Sequence, residues 1–148
     1  MTSGNTVRID FHSSLNMLDF VQTVSDHVAR MVGLDDDSIH WVGLAVRESV
    51  INAIKHGNGC DVGKRVHLEF TSLQDGGGPG LAVTVRDEGG GFDPAKLADP
   101  LADENLLKAN GRGIFLMRSF MDEMTFSRMK EGGMEVRMVK RVPQSTLA

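Results

Sequence analysis

One cysteine stands in 148 residues, Cys60, so no internal disulfide can form and no cysteine cluster can hold zinc, a usage that suits a reducing cytosol. Positive charge is not in excess either. Sixteen Lys and Arg face 20 Asp and Glu, for a formal net charge of −4, and no basic stripe runs along any segment, which argues against nucleic-acid binding. No apolar run approaches the ~18 residues of a membrane span, and the first ten residues carry neither the basic n-region nor the apolar h-region of a secretory signal. Internal repeats and low-complexity tracts are lacking as well. What is present, 41% hydrophobic and 24% charged residues, describes a folded protein with a sizeable core. The expectation is one domain over residues 1–148, soluble and cytoplasmic, with no membrane and no direct nucleic-acid partner.

Hydrophobic periodicity orders the chain. Val7, Ile9 and Phe11 alternate with Arg8, Asp10 and His12, the period-2 signature of a half-buried strand. Ser13 or Ser14 can cap a helix whose apolar positions Leu15, Leu18, Val21, Val24, Val28 and Met31 recur until Gly33. Acidic turn residues at 35–37 open a second helix, predicted from Asp36 to His56 with Ile39, Val42, Val46, Val50 and Ala53 on its core face and an end at Gly57. A hairpin follows: Val66, Leu68 and Phe70, a turn over 75–80, then Leu81, Val83 and Val85. Residues 95–110 have weak periodicity and read as a mobile loop with one short helix over about 99–108. Gly111 to Met121 reads as a glycine-rich entry into a third helix, and strands over 124–129 and 134–142 close the chain around Gly132 and Gly133. The order β-α-α-β-β-loop-α-β-β predicts an α+β two-layer sandwich, a mixed, mostly antiparallel sheet covered on one face by three helices, because its strand pairs are hairpins and not βαβ crossovers.

Three places carry chemistry. On the second helix, residues at i and i+4 share a face, so Glu48, Asn52 and His56 line up with Lys55 beside them. Such a face is most often merely solvated. A neutral amide is a poor Mg²⁺ ligand unless phosphate oxygens complete the shell, so a metal on Asn52 implies that metal and nucleotide arrive together. Glu48, one turn earlier, could then deprotonate an attacking hydroxyl, a role that depends on position first. Lys55 and His56 offer charge and hydrogen bonds to phosphates, although Lys55 reads equally as a surface lysine.

Strand alternation places Asp87 on the apolar face with Leu81, Val83 and Val85, and a carboxylate aimed at the buried side needs a reason. It is either a turn residue bonding its own backbone or an acceptor pair for the amino group of adenine, with Gly89 and Gly91 letting the backbone approach a flat base. Gly111-Arg112-Gly113 is a tight turn or a phosphate-accepting helix start. It is not a Walker A loop, since the Gly-Lys-Ser/Thr ending is missing.

In order, the chain offers Glu-x-x-x-Asn on a helix, Asp-x-Gly-x-Gly after a strand, a flexible stretch, and Gly-x-Gly opening a helix. This conjunction resembles the GHKL nucleotide-binding superfamily of gyrase, MutL, heat-shock chaperones and histidine kinases. Within it, the length and the run over 111–124 are similar to the bacterial anti-sigma-factor serine/threonine kinases. The resemblance implies a Bergerat-type ATP-binding fold, ATP and Mg²⁺ as cofactors, and a mobile ATP lid at about 94–112. Carried over residue by residue, it implies Glu48 as catalytic base, Asn52 as Mg²⁺ ligand and Asp87 as adenine acceptor. Gly89 and Gly91 would form the turn, and Gly111, Arg112 and Gly113 the lid hinge and phosphate contacts.

The implied function is an ATP-dependent serine/threonine protein kinase and anti-sigma factor in a partner switch. It would phosphorylate a small STAS-type anti-sigma-factor antagonist and bind that antagonist or a sigma factor, as a homodimer formed through the first strand and helix. A nucleotide-gated binding module with little or no kinase activity is the alternative. A histidine-kinase catalytic domain ranks last, because no dimerisation helix pair presents a phospho-acceptor histidine. One departure stands out: relatives often carry a threonine after the glycine that opens the last strand, supporting the aspartate, and here Met134 holds that place and is assigned no nucleotide role.

Overall fold

The computed structural model describes residues 4–89 and 118–143. Five strands, β1 (Thr6–His12), β2 (Arg65–Asp75), β3 (Gly78–Arg86), β4 (Glu123–Arg128) and β5 (Met134–Arg141), form one sheet in the order β1-β2-β3-β5-β4. Every described pairing is antiparallel. The register carries apolar residues across the sheet in transverse rows. One row runs Val7, Phe70, Val83, Met138 and Met124, the next Ile9, Leu68, Val85, Val136 and Phe126. Cross-strand pairs of this kind are the unit of sheet stability.

Two helices, α1 (Leu18–Val32) and α2 (Asp36–Asn52), cover that face. The five apolar positions expected to form the core side of α2 are all buried, as are Val66, Leu68, Phe70, Leu81, Val83 and Val85. Asp35 caps α2 by accepting from Ser38 N at 2.8 Å, with Asp36 and Asp37 in the first turn where the helix dipole favours negative charge. Gly43 lets the helices approach: a Cβ there would stand 3.0 Å from Asp26 Oδ1 of α1. Arg47 reaches back to α1, donating to Gln22 Oε1 at 3.2 Å.

The opposite face of the sheet is charged. Arg8 pairs with Glu69 at 3.3 Å and Arg86 with Glu135 at 3.0 Å, which accounts for the polar half of the period-2 alternation. No helix among the described residues is long and apolar enough to cross a membrane.

Three details depart from the sequence reading. Leu15 and Met31, counted on the apolar stripe of the first helix, stay exposed. Leu15 lies in a 3₁₀ turn, Leu15–Met17, before α1 begins, and Met31 sits in the last turn beside the sheet edge. The β2–β3 turn is shorter than expected, because pairing continues to Asp75 opposite Gly78 and leaves only Gly76 and Gly77. The closing strands begin and end within a residue of their expected limits. The second helix does not run regularly to His56: α2 stops at Asn52 and a π turn, Ala53–Gly57, takes over. The expected third helix falls mostly outside the described residues, as do the short helix over 99–108 and the lid; residues 118–120 are helical.

Candidate nucleotide site

Glu48 and Asn52 project from the last turn of α2, both half-buried. The Glu48 carboxylate engages no donor or cation among the described residues. Asn52 Oδ1 is shielded from solvent and has no hydrogen-bond partner among the described residues. Buried polar atoms in folded proteins are nearly always satisfied, so an orphaned acceptor invites a ligand explanation. It fits a hard cation, which takes oxygen donors. No cluster of three or more His, Cys, Asp or Glu suited to a metal exists among the described residues, so other oxygens would have to complete such a shell.

Directly after Asn52 the helix widens. Asn58 N donates to Ala53 O at 2.7 Å, an i→i+5 bond. A π turn takes more residues per revolution than an α turn, so the stripe expected to run through Glu48, Asn52 and His56 breaks after Asn52. Lys55 and His56 are exposed on this wider turn. The helix axis therefore carries two aligned polar groups, Glu48 and Asn52, and two others displaced around it.

Asp87, 8% exposed at the end of β3 and on the face alternation assigned to it, lies against Gly57 of the turn that follows Asn52. Oδ1 accepts from Gly89 N at 2.9 Å and from Met134 N at 3.1 Å. Both readings of this residue are thus partly realised: one oxygen closes a turn on its own backbone, and no donor among the described residues meets Oδ2. Burial pushes the Asp87 carboxyl above its ordinary range, while the Gly89 and Met134 amides and the charge of Lys64 pull the other way. At Met134 it is the amide that supports the aspartate, so the methionine side chain leaves this contact intact.

Three glycines from separate segments close on Asp87. A Cβ at Gly57 would overlap the Asp87 carboxylate, one at Gly89 would overlap the Gly57 carbonyl, and one at Gly133, where φ is +93°, would overlap the Asp87 carbonyl. Sequence reasoning gave Gly57 only as a helix end and Gly133 only as a hairpin turn. It passed over Asn58, which is 2% exposed and fully hydrogen-bonded beside Asp87. The one available signal was local: a polar residue between two glycines directly after the helix. Gly91, Gly111, Arg112 and Gly113 lie outside the described residues.

The chain as a whole is similar to known proteins. The family model described as histidine kinase-like ATPase domain matches residues 12–140. The serine-protein kinase RsbW of Staphylococcus aureus strain JH9 is 30% identical over 138 residues, covering 88% of this chain and 82% of its own. The protein of the same name from the bovine strain RF122 is 30% identical over 140 residues, with the same coverage. Among solved structures, one containing the RsbU and RsbW domains of a Mycobacterium tuberculosis protein superposes with a TM-score of 0.62 at 19% identity. That match covers 95% of this chain and 33% of the other, and it shows the shared fold. The chain belongs to the histidine kinase-like ATPase domain family.

Proposed function

We propose that this chain is an ATP-dependent serine/threonine protein kinase and anti-sigma factor of a cytoplasmic partner-switching pathway, with a small STAS-type anti-sigma-factor antagonist as its substrate and a sigma factor as its second partner. The observation that carries the reading is the pair on α2: a carboxylate that meets no donor among the described residues, one turn before an amide oxygen that is buried and unsatisfied among them. Asn52 Oδ1 would hold Mg²⁺ together with the nucleotide phosphates, and Lys55 and His56 would stand near those phosphates. Bound there, Mg²⁺ supplies charge neutralisation of the transferring group. Asp87 Oδ2 accepts from the adenine amino group, and Gly89 keeps the base plane clear.

Glu48 orients the serine or threonine hydroxyl of the antagonist and takes its proton as the oxygen attacks the γ-phosphorus. The bond from that phosphorus to the β–γ bridging oxygen breaks, and ADP leaves. The protein contributes positioning and electrostatics more than covalent chemistry. A homodimer forms through β1, an open sheet edge, and α1: Val7, Val28 and Met31 line a groove of about 200 Å³ beside that edge.

The test is single-turnover phosphate transfer from labelled ATP to candidate antagonists. Glu48→Gln should slow transfer by about 10²-fold or more, the range for a positioned general base, with ATP affinity nearly intact. Asn52→Ala should lose the Mg²⁺-dependent part of nucleotide affinity. Wild-type rates from the Glu48 variant would remove it from the base role. A wild-type protein that binds ATP and partner but transfers nothing would establish the gated-module alternative.

A further inference from the structure

We infer that Asn58 is a positioning residue, which locks the strap that leaves β3, residues 87–89, to the end of the Glu48–Asn52 helix and so sets the adenine acceptor relative to the phosphate-transfer groups; this rests on the nucleotide reading of the site. The amide is 2% exposed, and all of its described bonds go to other segments. Oδ1 accepts from Glu88 N at 2.7 Å. Nδ2 donates to Arg65 O at 3.0 Å and to Ser13 Oγ at 2.9 Å. A backbone N–H can only donate and a backbone carbonyl can only accept, so these partners fix which way the amide points.

Each partner belongs to a different piece of the fold. Ser13 follows β1 and passes the chain of bonds on, its Oγ donating to Lys64 O at 2.9 Å. Arg65 opens β2. Glu88 is the residue between Asp87 and Gly89, whose amide in turn donates to Asp87 Oδ1. Asn58 itself is held by the π turn, through its N–H on Ala53 O, and Asp61 N donates to its carbonyl at 3.1 Å. The wider turn after Asn52 therefore delivers one side chain to the strap, and that side chain spans helix end, β1–β2 corner and strap at once.

Buried, fully used amide networks fix a unique geometry, and an acceptor contact to a ligand depends on that geometry to within a few tenths of an ångström. Removing the Asn58 amide frees Glu88 N and lets the strap rotate the Asp87 carboxylate away from the base. The consequence differs from ordinary destabilisation. Recognition of the adenine amino group should weaken while the contacts made by Asn52 to the phosphate end remain.

The experiment compares ATP with purine riboside triphosphate, which lacks the 6-amino group, by competition against a fluorescent nucleotide. The wild-type protein should prefer ATP by about tenfold or more, the worth of one hydrogen bond to a charged acceptor. Asp87→Asn and Asn58→Ala should both bring that ratio to within about twofold of one, the second by misplacing a carboxylate that is still present. Val21→Ala, a core truncation in α1, should lower stability and leave the ratio at its wild-type value.

A wild-type ratio in Asn58→Ala, with the ratio lost in Asp87→Asn, overturns the positioning role and leaves the nucleotide reading standing. No preference in the wild type overturns both. Should Asn58→Ala not fold, amide exchange on the wild-type protein decides: Glu88 N–H should be protected like its β3 neighbours, and exchange at the rate of an open loop overturns the inference.

Discussion

Replacing Asp87 with asparagine should stabilise the protein at neutral pH while removing the hold on adenine proposed for it. The carboxylate is 8% exposed, and burial, the largest influence on it, holds its proton more tightly than in the unfolded chain. Asparagine has nearly the same shape, keeps an acceptor for Gly89 N and Met134 N, and carries no charge to desolvate. Relief of such a strained functional group is worth about 0.5–2 kcal/mol, or about 1–8 °C in Tm for a chain of this length. The pH dependence gives the sign independently. A carboxyl whose folded pKa is raised above 3.8 binds more protons folded than unfolded in the window above 3.8, so wild-type stability falls as pH rises through that window and then levels. The asparagine variant lacks this loss. The difference in Tm should be near zero below the ordinary carboxylate pKa, grow with pH, and reach a plateau. Calorimetric melts across pH, paired with ATP titrations showing at least about a tenfold loss of affinity, make the measurement. A variant less stable than wild type at neutral pH would show that the two backbone bonds to the anion outweigh its burial, and a gap widening towards acid would reverse the assigned direction.

Gly57→Ala should fail at the same place by steric means. Its Cβ would overlap the Asp87 carboxylate, with the strap pinned on the other side by Gly133, so ATP affinity should drop by about tenfold or more on titration, comparable to losing the adenine hydrogen bond; wild-type affinity would mean the strap moves freely. His67 supplies a second pH signature. Burial lowers its pKa, but bonds to Glu88 at 2.8 Å and Asp10 at 2.7 Å together raise it above 6.5. A raised histidine contributes stability that is fully present below the unfolded value and is lost as pH rises through the folded one. His67→Gln should therefore melt below wild type in acid, with the gap closing at alkaline pH, and a gap that opens on the alkaline side would contradict the bridge.

Local periodicity made most of the scaffold legible. Alternation in β2 and β3 named the buried side chains and put Asp87 among them, because in an extended strand the period is two whatever the neighbours do. The α2 stripe named its core face by the same logic at a period of 3.6. What periodicity could not reveal was a change in the period itself: nothing in Ala-Ile-Lys-His-Gly announces five residues closing an i→i+5 turn. Contacts between distant segments were equally silent. Gly57, Gly133 and Asn58 each have a complete local explanation as helix end, hairpin turn and loop residue, and only the fold brings them within reach of Asp87. The place of β5 between β3 and β4 was likewise invisible, since a hairpin signal does not say which of its strands pairs onward.

The Met134 departure shows why a missing side chain need not dismantle such a site. Where the family resemblance implies a hydroxyl beside the aspartate, position 134 carries a thioether. The Met134 amide already donates to Asp87 Oδ1, its carbonyl accepts from Asp87 N at 3.1 Å, and Glu88 N is taken by Asn58. The strap is thus fixed by main-chain groups together with the Asn58 amide and the Glu88 carboxylate, with the further demand that Gly57, Gly89 and Gly133 stay small. Backbone donors are indifferent to substitution at their own position provided the strand keeps its register. On this construction, position 134 tolerates varied side chains, while register shifts in the β4–β5 hairpin and any Cβ at the three glycines reach the aspartate directly.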